Sequence, residues 1–245
     1  MSRMKGMVVW GALLAGLVSP ARADAPPCSS RTAAGQTCAC DVRVLHPLQG
    51  AIGRDEVRHK AEKIRDKPNK ARRELEDDPI KIVRGPDDGF YITDHHHGAA
   101  AMALAGQPIA SCSVVPRPAF TTPEAFWRDL ARDHLVWLQD QDGRAITPAD
   151  LPTSLADMPD DPYRSLAWRL RKEGGYCRAA MRQKEFAEFL WADWLRRQPS
   201  LPIDKVRRSS KAMVDEALAL ARSPAARALP GFIGDKPESF SCPDD

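Results

Sequence analysis

Residues 80–104 read IKIVRGPDDGFYITDHHHGAAAMAL. Ile80 to Arg84 predicts a β-strand. Gly85-Pro86-Asp87-Asp88-Gly89 is a turn, because proline fixes φ and glycine tolerates positive φ. Phe90 to Thr93 is the returning strand, so 80–93 predicts a hairpin. Asp94 is placed to cap a helix that runs through Met102 to Ala105 and stops at Gly106. Its alanines make a slim helix that can approach a sheet closely. Ile109 to Val115 predicts a further strand.

On the N-terminal side, Gly53 to Arg65 predicts a helix with Val57, Ala61 and Ile64 on one face. The charged stretch from Arg65 to Asp78 predicts a surface connection or a short solvated helix. DVRVL, 41–45, predicts a short strand, and residues 24–40 a flexible leader. After Phe120 strand signals nearly vanish. Thr122-Pro123-Glu124 opens a helix carrying Phe126, Leu130 and Ala131. Asp161-Pro162 opens another, with Tyr163, Leu166, Ala167 and Leu170 at helical spacing. A third, Lys184 to Arg197, is expected to turn Phe186, Phe189, Leu190 and Trp194 inward. Ser209 or Ser210 caps a fourth, with Met213, Val214, Ala217, Leu218 and Ala221 along one stripe. Eleven aromatics lie between Phe120 and Trp194, so the larger core is expected there. The predicted class is α+β: a small mixed sheet with helices over 41–118, a helical region over 119–234, and a polar tail over 235–245.

The first 23 residues have a different character. Arg3 and Lys5 precede an uncharged apolar run from Met7 to Val18, followed by Pro20 and small residues. This is the pattern of a cleaved secretory signal peptide, with Ala-x-Ala signatures ending at Ala23 and Ala25. Twelve helical residues span about 18 Å, short of the roughly 30 Å hydrocarbon core. The mature protein is therefore expected in the periplasm or outside the cell, with no membrane attachment. The whole chain has 36 basic and 33 acidic residues, a net charge of +3. Loss of Arg3, Lys5 and Arg22 leaves the balance at zero. A basic stripe (Arg169, Arg171, Lys172, Arg178, Arg182, Lys184) remains, but bulk charge gives no support to a nucleic-acid partner. All six cysteines survive cleavage, and an oxidising compartment predicts one to three disulfides among fifteen pairings. Cys38-Ala-Cys40 lacks the spacing of a thioredoxin-like pair.

Chemistry concentrates in Asp94-His95-His96-His97-Gly98, where a strand hands over to a helix. Helix N-termini expose unsatisfied amides and a positive dipole end, which suits phosphate. The same field disfavours imidazolium and keeps histidine neutral. Successive helical residues lie 100° apart, so the three imidazoles cannot all face one metal. Glu56 and Lys60 form an i, i+4 pair in the favourable order. Arg164 reads first as a solvated cation, Tyr176 as core, and Trp191 with Trp194 as core or interface.

Residues 45–115 resemble the ParB and sulfiredoxin fold, in which a helix leads into a hairpin and an Asp-Gly-His-His-Arg type motif opens the next helix. Over roughly 43–234 the chain resembles a family of bacterial ParB-like nucleases. The shared features are Leu45-His46-Pro47-Leu48-Gln49, then Gly53, Glu56, Val57 and Lys60, then Asp94 to His97, then Asp160 to Leu166 and Phe189 to Asp193. The resemblance implies that nucleotide phosphates sit on the helix N-terminus at His96, His97 and Gly98. Gly98 stands where relatives carry Arg, which removes a planar bidentate donor. The helix-turn-helix with which ParB reads DNA has no clear counterpart.

Three functions stay open at this level. The first is a phosphodiester or phosphoanhydride hydrolase. Asp94 would cap and orient, His96 or His97 would act as base or polarise a phosphate, and Lys60 would neutralise charge. His95 and Glu56 complete its candidate set, with a nucleotide or divalent metal as the conceivable cofactor. The second is a phosphate- or nucleotide-binding module without turnover. The third is a secreted interaction protein with a degenerate site. A phosphate-containing ligand is the expected partner, and nucleic acid enters by family analogy only.

Overall fold

A computed structural model describes residues 25–117, 120–177 and 186–234, with 236 and 242. The expected signal segment, Arg178, Arg182 and Lys184 of the basic stripe, and most of the polar tail lie outside the described residues.

The hairpin forms as its turn chemistry dictates. β3 (Ile80–Arg84) pairs antiparallel with β4 (Phe90–Ile92), Ile82 opposite Ile92. Five strands make one mixed sheet in the order β1-β5-β3-β4-β2. β1 (Thr37–Asp41) lies antiparallel to β5 (Ile109–Val114), which lies parallel to β3. β2 (His46–Pro47) runs parallel to β4. The strand expected at 41–45 thus sits earlier, and residues 37–40 of the expected leader belong to the sheet. Asp41 causes the shift: its side chain accepts from Arg43 N–H and starts a 3-10 turn over Val42–Val44.

α1 (Arg54–Asp66) buries Val57, Ala61 and Ile64 as its spacing predicts, and buries Glu56 as well. α2 (Pro68–Asp77) is solvated, with no buried residue. α3 (His96–Leu104) follows the hairpin, and its Ala99, Ala101 and Met102 are buried. Gly106, at φ +76°, ends that turn. α4 (Pro123–Arg132) is capped by Thr122, which accepts from Ala125 N–H. α5 (Pro162–Lys172) is capped by Asp161, which accepts from Tyr163 and Arg164 N–H. α6 (Ala187–Arg196) and α7 (Ile203–Arg208) lead to α8 (Lys211–Arg222), capped by Ser210. The sequence pattern had not indicated α7.

One expectation about packing fails. On α6 the inward face is Ala187, Phe189, Trp191, Ala192 and Leu195, while Leu190 and Trp194 are half-buried. Among the described residues the helical half holds more buried apolar side chains than the sheet half, as its aromatics imply, while the most extensive single buried cluster lies on the sheet. It is filled by aliphatics, alanines and Cys38, Cys40 and Cys112. Disulfides join Cys28 to Cys38, Cys40 to Cys112 and Cys177 to Cys242.

Candidate functional site

Residues 48–53 are the seam between the sheet and the helical half. Leu48 C=O accepts from Trp137 N–H, Ile52 N–H donates to Pro159 C=O, and Asp161 N–H donates to Ile52 C=O. At Gly53 the chain passes so close to α5 that an added Cβ would lie 3.0 Å from Ser165 N. Glycine here lets the start of α1 meet the start of α5.

That approach puts Glu56 beside Arg164. Glu56 and Arg164 are each only 4% exposed. Lys60 Nζ lies 2.7 Å from Glu56 Oε1, and Arg164 Nη1 lies 3.3 Å from Oε2. Arg164 also pairs with Glu188, whose other oxygen accepts from Arg171 Nε at 2.9 Å. Charges therefore alternate from half-exposed Lys60 inward through Glu56, Arg164 and Glu188 to Arg171, across α1, α5 and α6. Burial pushes the Glu56 carboxyl up, and Lys60 and Arg164 more than offset this, leaving it below its ordinary value. Glu188 behaves alike, with Arg164 as the largest opposing charge. A buried ion pair is weak evidence for stability, and ionisable groups perturbed by burial and a specific partner are candidates for function.

The His run divides. His97 Nε2 accepts from Gly53 N–H at 3.2 Å and lies 3.6 Å from Glu56 Oε2. His96 Nε2 accepts from Leu48 N–H at 3.0 Å. These acceptor roles assign the proton of each ring to Nδ1. Burial lowers the His96 pKa to about 3, and burial with Arg164 and Lys60 lowers that of His97 well below its ordinary value. His95 turns outward. At φ 70° it takes the N-cap position of α3, and its Nε2 lies 3.1 Å from Asp78. Asp94 Oδ1 accepts only from His95 N–H, one residue too early to cap the helix as expected. The left-handed residue between them consumes the position the cap would need.

Of the expected site residues, the structure brings Glu56, Lys60 and His97 together. His96 serves the 48–53 seam, and Asp94 and His95 stand at the outer rim. The first intrahelical bond of α3 runs from Ala99 N–H to His95 C=O, so the amides of His96, His97 and Gly98 open the helix without a carbonyl behind them. An added Cβ at Gly98 would meet only His95 Cβ, at 3.9 Å. Sequence reasoning missed Glu188 and Arg171 and took Arg164 for a solvated cation. Arg164 and Arg171 are seven residues apart on one helix face, which was the available signal. No group of three His, Cys, Asp or Glu that could hold a metal occurs among the described residues. Glu56, already bound by two cations, does not fit the role of a metal ligand.

Residues 38–197 match the family described as "Putative ParB-like nuclease". The chain belongs to this family. Every member of the alternating charge chain, and the whole His run, falls within the matched ParB-like nuclease region. A crystal structure of protein Atu1540 from Agrobacterium tumefaciens is 32% identical, with a TM-score of 0.73, covering 82% of this chain and 99% of that one. The C-terminally truncated chromosome-partitioning protein ParB from Caulobacter crescentus, complexed with CTP-gamma-S, is 13% identical. It covers 78% of this chain and 94% of that one at a TM-score of 0.29, a likeness too slight to carry anything over. No curated protein matches the chain.

Proposed function

We propose that this ParB-like protein hydrolyses a phosphodiester or phosphoanhydride bond at the N-terminus of α3. The convergence of Glu56, Lys60 and His97 beside the open amides of that helix carries the reading. Lys60, half-exposed at the end of the charge chain, neutralises the phosphate. The amides of His96, His97 and Gly98 hold its oxygens. Glu56 is a positioning residue that fixes Lys60 and faces His97. With Nε2 committed to Gly53, His97 acts as a hydrogen-bond donor through Nδ1–H rather than as a general base. A second reading, phosphate binding without turnover, draws on the same commitment of both buried imidazoles to backbone amides. We also infer that the protein works in the periplasm or outside the cell. Three disulfides are compatible with that, and among the described residues no helix is long and apolar enough to cross a membrane.

Release of product from bis(4-nitrophenyl) phosphate, ATP and a short oligonucleotide tests the activity. Lys60→Ala should lower turnover by at least a hundredfold. At Gly98 an added Cβ meets no clash, and Gly98→Arg should tighten phosphate binding about tenfold or more through charge-assisted bonds. Saturable phosphate binding with no turnover selects the second reading. Absence of both, in the parent and in Gly98→Arg, defeats the site. N-terminal sequencing of exported protein should find a start at Asp24 or Pro26.

A further inference from the structure

A cavity of about 430 Å³ lies between residues 30–34, the ends of β3 and β5, and α4. Neither the His run nor the charge chain of Glu56 lines it. Three arginines do: Arg31, Arg84 and Arg117. Arg117 is paired with Asp133 at 2.6 Å, and the one acidic residue of the wall, Asp129, is bound to Arg132 at 2.8 Å. Arg84 is different. Its Nη2 donates to the neutral carbonyls of Ser29 and Thr32, at 3.4 and 3.3 Å, and its Nε is buried without a partner. Among the described residues no carboxylate lies within ion-pair distance of Arg84 or Arg31. Phe120 and Phe126, edge to face at 5.2 Å, supply apolar surface in the same cavity.

A guanidinium in a partly closed, apolar-walled cavity without a counter-charge favours an anion more than a surface arginine does. Its planar fork matches carboxylate and phosphate. The volume suits a small molecule, and the phenylalanines suit a flat or apolar body. We propose that this cavity binds a small organic anion with an aromatic or apolar body. The anionic group sits at Arg31 and Arg84, and the body rests on Phe120 and Phe126. The wall that carries Arg31 is the loop closed by the Cys28–Cys38 disulfide, with Gly35 N–H donating to Val114 C=O at 2.8 Å. Binding therefore depends on that bridge.

Calorimetry on the oxidised chain with benzoate, phenyl phosphate, inorganic phosphate and benzyl alcohol tests this. In this cavity, read as the part of the signal lost in Arg31→Gln, benzoate and phenyl phosphate should bind saturably, and inorganic phosphate and benzyl alcohol at least tenfold more weakly. Arg31 is exposed, so Arg31→Gln should leave the fold intact and weaken benzoate at least tenfold. Cys28→Ser with Cys38→Ser should also weaken benzoate at least tenfold, measured where circular dichroism shows the chain still folded. Benzoate binding should persist in Lys60→Ala, since its loss there would assign the anion to the N-terminus of α3 and overturn the proposal. Unchanged affinity in Arg31→Gln, or no saturable binding of either aromatic anion to the oxidised parent, would equally overturn it.

Discussion

Around the sheet the buried side chains are Ile80, Ile82, Ile92, the alanines of α3 and the sulfurs of Cys38, Cys40 and Cys112. Around α5 and α6 they are Tyr163, Tyr176 and Trp191 with long aliphatics, and Tyr176 stacks on Trp191 at 4.4 Å. Small side chains let α3 lie close to its neighbours, but each contributes little burial, and covalent bridges make up the difference. Large rings stabilise the cluster around α5 and α6 with fewer residues, because each one removes much apolar area from water. Counting aromatics therefore identifies the half with more buried apolar residues, but not where the most extensive single cluster lies.

The contrast can be broken by experiment. Trp191→Ala should have the largest effect, about 3–5 kcal/mol, against about 1 kcal/mol for Ile82→Val in the sheet. Denaturant midpoints in the reverse order would refute the division. Next come the bridges. Cys40 and Cys112 are 72 residues apart, and replacing both with Ala should cost roughly 4 kcal/mol by chain entropy. Replacing Cys28 and Cys38, 10 apart, should cost roughly 3 kcal/mol. Equal losses would show that loop length is not what the bridges act through.

The seam between the halves should respond to pH. His96 is neutral when folded and its pKa is lowered to about 3, so between pH 6.5 and about 3 the unfolded chain binds a proton that the folded chain does not. Its contribution is complete above pH 6.5 and lost on acidification, with a slope of up to about 1.4 kcal/mol per pH unit. His97, also lowered, acts in the same direction. Glu56 and Glu188 reinforce the loss only below their ordinary carboxylate range. Asp161 in the same seam is raised by burial and acts in the opposite sense, so the imidazole share is read from the comparison of parent and His96→Gln in urea titrations from pH 6.5 to 5, where His96→Gln should flatten the slope. Equal slopes in the two proteins would mean that the His96 imidazole is already charged or exposed. Half-buried Leu190→Ala should be as mild as Ile82→Val, about 1 kcal/mol. A loss as large as that of Trp191→Ala would restore the helix face that the spacing had suggested.

Much of the sheet half was legible because its signals are local. Pro86 and Gly89 fix the hairpin turn, and Val57, Ala61 and Ile64 fix one face of α1. Val42 to Leu45 misled, because strand-forming residues follow an Asp41 that caps a 3-10 turn instead. On α6 apolar residues surround the helix, so spacing alone could not orient it. Glu188, drawn toward Arg164 and Arg171, settles its rotation. In the candidate site, Glu56 and Lys60 were readable as neighbours one helical turn apart. The partners of His96 and His97 were not, since backbone amides of Leu48 and Gly53 leave no mark on side-chain identity. Arg164 reaches Glu56 across more than a hundred residues, a distance over which local pattern is silent.

The pairing of β1 with β5 has a consequence for how the chain reaches this state. The contacts that join α5 to α8 span shorter stretches, such as the 38 residues from Tyr163 to Leu201, whereas β1 must find a strand some 70 residues away, the separation of Cys40 from Cys112. Loop closure of that size makes non-local pairing slow relative to helix formation. Until β1 arrives, β5 is an unpaired edge, able to accept a strand from another molecule and start aggregation. At the far side of the sheet the edge is the two-residue β2, too short to template much. Oxidation of Cys40 with Cys112 holds β1 on β5, and on the outer side of β1 the backbone of Pro26 and Cys28 pairs with Ala39, so the new edge is partly covered too.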